Sequence, residues 1–232
     1  QHNNALQSRI AAYPNRFRGL AALPMQDVPA ACAELERAVN ELGLIGGYIG
    51  TDIGRHLDSS ELDLFYEKLV SLDVPLFIHP APAGIDGPKG DSNLNQYDLD
   101  ILTGFASQET LAIATLIYGG VLERHPNLDI CVSHAGGAIP MLVGRLNEAG
   151  MRRSWASEAV CKDGAFEAYL SKLWFDNHVH DQRVLDFVIA MLGKDHLVLG
   201  TNFAGWDQHT LDGDDDWKLL LADNARRLLR VK

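Results

Sequence analysis

The chain has 232 residues, 47% of them apolar and 22% charged, and its 20 Lys and Arg against 31 Asp and Glu give a net charge of −11. That length supports one sizeable core, while the acidic balance, without any arginine-rich tract, disfavours a phosphate-coated partner, because nucleic-acid binding draws on clustered Lys and Arg. No run of 18 apolar residues or basic leader marks it for a membrane or export, and three widely spaced cysteines, Cys32, Cys131 and Cys161, suggest neither disulfides nor a Cys-based zinc cluster, so a cytoplasmic setting is expected.

Apolar runs of strand length alternate with segments of helical period, the signature of repeated βα units around a parallel sheet. A first helix is expected over 4–13, then a strand over 17–24. The helix over 28–42 sets Ala31, Leu35, Ala38, Val39 and Leu42 on one face and Glu34, Glu36 and Arg37 on the other. A strand over 44–51 precedes a helix over 61–72, capped by Ser59 or Ser60, with Leu62, Phe65, Leu69 and Leu72 inward. Strands follow over 75–80, 128–134, 173–178 and 196–202, and helices over 107–124, 139–149, 182–192 and 215–229. Two connections are long, 81–105 and 151–165, and the first follows a strand end, where barrel enzymes place binding loops. With no repeat and no linker composition, residues 1–232 read as a single domain. The fold class is α/β, of the (β/α)8-barrel type, with six recognisable βα units.

In a parallel barrel the chemistry collects at the C-terminal ends of the strands. There, Leu76-Phe77-Ile78-His79 and Ile130-Cys131-Val132-Ser133-His134 both close on histidine, and Leu199-Gly200-Thr201-Asn202 closes on an amide. Imidazole ligates divalent metals or carries protons near neutral pH. One such residue alone is more often structural; two at equivalent strand ends make a shared site the better reading. Gly136 and Gly137 either start the next helix or let backbone N–H groups approach an anion. His178 and His180, two apart on a strand, would point to the same side and could chelate a metal, although hydrogen bonding or substrate contact is at least as good a reading. His56, His125, His196 and His209 read as solvated surface residues. The acidic stretch at Asp207 and 212–216 suits a helix N-terminus better than a calcium loop.

At these residues the chain resembles the amidohydrolase superfamily, in the branch of metal-dependent decarboxylases related to 2-amino-3-carboxymuconate 6-semialdehyde decarboxylase. The matching stretches are 16–26, 76–80, Glu109-Thr110-Leu111 leading to Gly119-Gly120-Val121, 133–140 with Val143-Gly144-Arg145, and 199–202. What the resemblance implies is a distorted barrel with one divalent metal ion, zinc or manganese. His79 falls on a metal-ligand position and His134 on the histidine that helps move the proton. Arg145 matches an arginine that binds a substrate carboxylate across a dimer, which implies a homodimer. Asn202 stands where the family carries a ligating aspartate; an amide oxygen coordinates weakly and accepts no proton in the useful range, and Asp207 is a substitute carboxylate five residues on. The family's His-x-His metal pair belongs to a strand preceding those present here, so the six strands correspond to the third to eighth.

The expected activity is a carbon–carbon lyase, a decarboxylase acting on a small unsaturated or aromatic carboxylic acid. A metal-dependent hydrolase or hydratase on the same scaffold is the nearest alternative. A degenerate barrel that binds a carboxylate ligand or partner without turnover is the other.

Overall fold

The computed structural model describes residues 1–81, 91–208 and 215–231. After helix α1 (His2–Ala12), strand β1 (Ala21–Ala22) is followed by α2 (Val28–Asn40), β2 (Gly47–Gly50), α3 (Asp63–Ser71) and β3 (Leu76–His79). Helices α4 (Phe105–Tyr118) and α5 (Val121–Arg124) precede β4 (Ile130–Val132), and α6 (Ile139–Arg152) and α7 (Ala165–Leu170) precede β5 (Trp174–Asp176). The chain ends through α8 (Gln182–Leu192), β6 (Leu197–Val198) and α9 (Asp215–Leu229). All strands are parallel and pair in chain order from β1 to β6, with register partners such as Gly50 and His79, Ile78 and Val132, and Asp176 and Val198. This is the six-unit α/β sheet expected from the alternation. Among the described residues β1 and β6 each have one sheet neighbour.

Strand alternation divides the apolar side chains between two faces. Leu76, Ile78, Ile130, Val132, Phe175 and Leu197 join the main core with the helices, which supply Leu35, Phe65, Leu69, Ile113, Leu116 and Phe166. The opposite face carries a smaller cluster, Cys131, Trp174, Val198 and Phe77, covered by Leu228 and Ala225 of α9. On that second face the period of two leads from Phe77 to His79 and from Trp174 to Asp176, so the sheet itself carries polar groups to the mouth.

Several expected elements differ. The strand expected over 196–202 shrinks to Leu197–Val198, and Leu199 is 42% exposed. Residues 17–24 form only a two-residue strand: Phe17 is 54% exposed, and sheet pairing is confined to Ala21 and Ala22. The helix expected over 107–124 breaks at Gly119 and Gly120, where Gly120 adopts φ +72 and a side chain at Gly119 would collide with Asp58. Within the first long connection lies a π-turn over Asp100–Gly104, and directly after the second comes α7, a helix not expected from the sequence, with Phe166 and Leu170 buried. Ser59 caps as expected, accepting from Glu61 N at 3.3 Å, but the turn it starts, Ser60–Leu62, is 3-10 before the α-helix proper. No helix among the described residues is long and apolar enough to cross a membrane.

Candidate active site

The histidines that close β3 and β4 meet. The rings of His79 and His134 lie 5.3 Å apart, and His134 is 5.4 Å from His178, which follows β5. Tyr48 stacks beside His79 at 6.1 Å, and Phe105, which begins α4, packs edge-on to His79 at 5.7 Å. Three strand ends therefore contribute to one row of imidazoles walled by two aromatic rings.

His134 sits on strained backbone. His134, Ala135, Gly136 and Gly137 all have positive φ, +47, +53, +74 and +66, a conformation that costs about 1–2 kcal/mol for each residue bearing a Cβ. The turn is held by Gly136 N donating to Ser133 O, Gly137 N donating to His134 O, and Ala135 N donating to Asp176 Oδ1 at 3.3 Å. The glycines are demanded by space as well as by φ: a Cβ on Gly137 would lie 2.2 Å from the Ala106 carbonyl oxygen, and one on Gly136 2.8 Å from the Phe175 ring. Their role here is this close packing against α4 and β5.

Behind His134 lies a fully buried carboxylate. Glu109 of α4 is 0% exposed, and its Oε1 accepts from both His134 Nδ1 and Ser133 Oγ at 2.6 Å. Burial pushes the Glu109 carboxyl up from its ordinary range, against the hydrogen bond from His134. His134 is raised as well: desolvation works against its charged form, but the bond and attraction to Glu109 outweigh it, helped by Asp176 and Asp207. With both partners raised, the pair keeps a proton between Oε1 and Nδ1. A carboxylate only accepts, so Nδ1 carries hydrogen and Nε2 is the nitrogen left to exchange a proton with a substrate. The sequence alone gives Glu109 no role beyond its match to the family. Its signal was nonetheless present: it occupies the buried stripe of α4 with Ala112, Ile113 and Leu116, at helical spacing where a charge has no reason to be unless it is paired.

His79 is oriented as metal-ligating histidines are. Its Nδ1 donates to Pro80 O at 2.7 Å, which fixes the tautomer and leaves the Nε2 lone pair as the donor atom. Burial depresses its pKa, favouring the neutral, ligating form. The Asn202 amide donates through Nδ2 to Asp207 Oδ1, turning Oδ1, the atom a metal would accept, the other way. Asp207 also receives His178 Nε2 at 3.1 Å and His180 Nε2 at 3.4 Å on Oδ2. Burial opposes ionisation of Asp207, yet the bonds from His178 and Asn202 prevail and hold its carboxyl at about 2. Asp207 thus serves the site and not the N-terminus of α9, where Asp215 and Asp216 occupy the first turn; residues 212–214 and His209 lie outside the described residues, as does 82–90 of the first long connection.

Arg145 is exposed on α6 and makes no hydrogen bond or ion pair among the described residues. Two histidines expected at the surface are not there. His125 is buried, donates through Nε2 to Asp63 at 2.9 Å and packs on Tyr66. His196 is half-buried and stacks on Trp174 at 4.2 Å. His56 is exposed as expected.

A family model described as amidohydrolase matches residues 1–231. The chain is 35% identical over 202 residues to 2-amino-3-carboxymuconate-6-semialdehyde decarboxylase of Dictyostelium discoideum, covering 87% of this chain and 55% of that protein. It is 25% identical over 247 residues to gamma-resorcylate decarboxylase of a Polaromonas species, covering 99% of this chain and 75% of the relative. Among solved structures, 5-carboxyvanillate decarboxylase of Novosphingobium aromaticivorans, complexed with manganese and 4-hydroxy-3-methoxy-5-nitrobenzoic acid, superposes with a TM-score of 0.85 at 26% identity. That match covers 99% of this chain and 69% of the other. The chain thus spans between about half and three quarters of the length of these relatives.

Proposed function

Because the chain belongs to the amidohydrolase family, we propose that it is a metal-dependent carbon–carbon lyase, a decarboxylase acting on a small aromatic or unsaturated carboxylic acid. The observation that carries this reading is the buried Glu109 carboxylate holding His134 at 2.6 Å beside His79 at adjacent strand ends. Decarboxylation replaces a carbon–carboxylate bond with a carbon–hydrogen bond, so it needs a proton placed on carbon. His134, raised by Glu109, is the group to supply it from Nε2, and Glu109 keeps the ring in one tautomer and orientation while it does so.

The divalent ion would take His79 Nε2 as a donor; Asn202 Oδ1, in the loop after β6, would join it as a neutral donor once the amide turns from Asp207, which its Nδ2 now holds. When bound, it supplies Lewis-acid polarisation of substrate oxygens. Manganese is the ion in the related 5-carboxyvanillate decarboxylase, and zinc suits the imidazole donor equally. Tyr48 and Phe105 flank His79 and would face a planar ring. Exposed Arg145 would orient a carboxylate by a two-pronged contact across a homodimer. This reading keeps a cytoplasmic setting and leaves out nucleic acid and membranes as partners, in line with the net charge of −11.

The test is carbon dioxide release from hydroxylated benzoates and unsaturated amino-dicarboxylates in the presence of Mn2+ or Zn2+. Release that falls by about 100-fold or more in His134→Gln, the size expected for loss of a general acid, supports the reading. Water addition or amide cleavage without carbon dioxide would move the activity to hydration or hydrolysis, and binding without turnover would make the chain a carboxylate-binding barrel.

A further inference from the structure

Beside His79 lies a second donor group, and among the described residues it is the group of three or more that converges: His178, His180 and Asp207, whose donor atoms all lie within 4.8 Å of one another. We infer that these three residues form a divalent-metal site of their own at the mouth between β5 and β6, of the two-histidine, one-carboxylate type that takes a zinc-class first-row ion and leaves a position open.

Two of the three edges of this group have the spacing of a coordination shell, and the third, between the histidines, lies within 4.8 Å. Metal–nitrogen and metal–oxygen bonds of about 2.0–2.1 Å in tetrahedral geometry put neighbouring donors about 3.3–3.4 Å apart. Asp207 Oδ2 lies 3.1 Å from His178 Nε2 and 3.4 Å from His180 Nε2. Replacing the shared hydrogens with one ion therefore requires little movement along those two edges.

The site is also built in the way metal sites are, with its ligands fixed from behind. Asp176 Oδ1 accepts His178 N at 3.0 Å, and Asn177 Oδ1 accepts Gly200 N at 2.9 Å, tying the His-bearing segment to the loop after β6. On the other side, Asn202 Nδ2 holds Asp207 Oδ1, which directs Oδ2 at the histidines. Asn202 thereby acts on this site as an orienting residue. His178 is 5% exposed, with Nε2 turned to Asp207. His180 is exposed, which puts the open position on the solvent side. The donor mix, two borderline nitrogens and one hard oxygen, favours zinc-class ions over Mg2+ or Ca2+, which prefer all-oxygen shells.

The inference is independent of the lyase reading, and its test uses no turnover. Zn2+ alone is titrated calorimetrically into the metal-stripped chain, and Co2+ alone is followed by its visible absorption, which reports donor type and geometry. Variants are His180→Ala, at an exposed position with little risk to folding, Asp207→Asn, which preserves shape, and His79→Ala. The expected result is a Zn2+ affinity that falls by more than tenfold in His180→Ala and in Asp207→Asn and persists in His79→Ala, with the tetrahedral Co2+ spectrum following the same pattern. Asn202→Ala weakens binding by about 10- to 100-fold, as loss of an orienting partner does. The inference is overturned if no ion binds, if His180→Ala and Asp207→Asn bind as the parent does, or if only His79→Ala loses the ion. Loss of carbon dioxide release in His134→Gln with these titrations unchanged would bear on the lyase reading alone.

Discussion

Replacing Glu109 by Gln keeps size, burial and the acceptor oxygen for His134 and Ser133 but removes the charge. Oε1 now accepts the Nδ1–H bond at 2.6 Å as a carboxylate. Hydrogen bonds to a charged partner contribute about 1.5–3 kcal/mol and neutral ones about 0.5–1.5, so the imidazolium loses about 1–1.5 kcal/mol, with the attraction between full charges in addition. At about 1.4 kcal/mol per pK unit, the His134 pKa falls by roughly 1–2 units. The sign follows from which form is favoured: the carboxylate stabilises the cation, so its loss moves the titration to lower pH. The alkaline limb of any activity that needs a protonated His134 moves down with it. Imidazole proton NMR reads the shift directly, with the resonance assigned through His134→Gln. Folding should be little harmed, because a buried neutral amide is less costly than the carboxylate whose Oε2 has no partner here. A His134 titration that stays within about 0.3 units of the parent would refute the coupling, since the Coulomb and hydrogen-bond changes expected from it are several times larger.

Gly137→Ala places a Cβ 2.2 Å from a backbone oxygen at φ +66; backbone strain and overpacking together cost about 3 kcal/mol or more, and scanning calorimetry should show a Tm lower by roughly 6–12 °C at least. Asp27 caps α2 by accepting from Ala30 N at 3.0 Å, so Asp27→Ala should cost about 1 kcal/mol in urea unfolding with an unchanged slope. Glu34, bonded by Arg37 and Asn3, is held at about 2 against an ordinary 4.5. Its contribution to stability is therefore full above about 4.5 and is lost as pH falls towards 2; Glu34→Gln should be less stable than the parent at pH 7 and converge with it near pH 2 in acid-unfolding curves.

What the sequence disclosed about the site depended on whether a residue's role was local. His79 and His134 close apolar runs at adjacent strand ends, so their approach is legible, although alternation places only His79 on the Phe77 face and it is the positive-φ turn after β4 that brings His134 to it. The partners were less so. His178 and Asp207 are 29 residues apart and His125 and Asp63 62 apart, and no pattern within one element predicts such pairs, which is why the sequence alone reads His125 as a surface residue. Glu109 lies between these cases: the apolar stripe it shares is visible in the sequence, whereas its partners Ser133 and His134 come from another element. In the fold, the strands buried on both faces are legible as apolar runs, whereas 17–24 and 196–202 outrun the two-residue strands they contain, because an apolar run measures burial and not ladder pairing. The break at Gly119 and Gly120 combines the left-handed φ of Gly120 with the room that Gly119 leaves for Asp58, a contact from another loop.

Carbon dioxide release from an aromatic carboxylic acid by the Mn2+-loaded chain, compared side by side for the parent, His134→Gln and Glu109→Gln, bears most directly on the proposed chemistry. The expected result is release by the parent, a loss of about 100-fold or more in His134→Gln, and in Glu109→Gln retained release whose alkaline limb lies roughly 1–2 pH units lower. Release that is unchanged in a folded His134→Gln variant would contradict it.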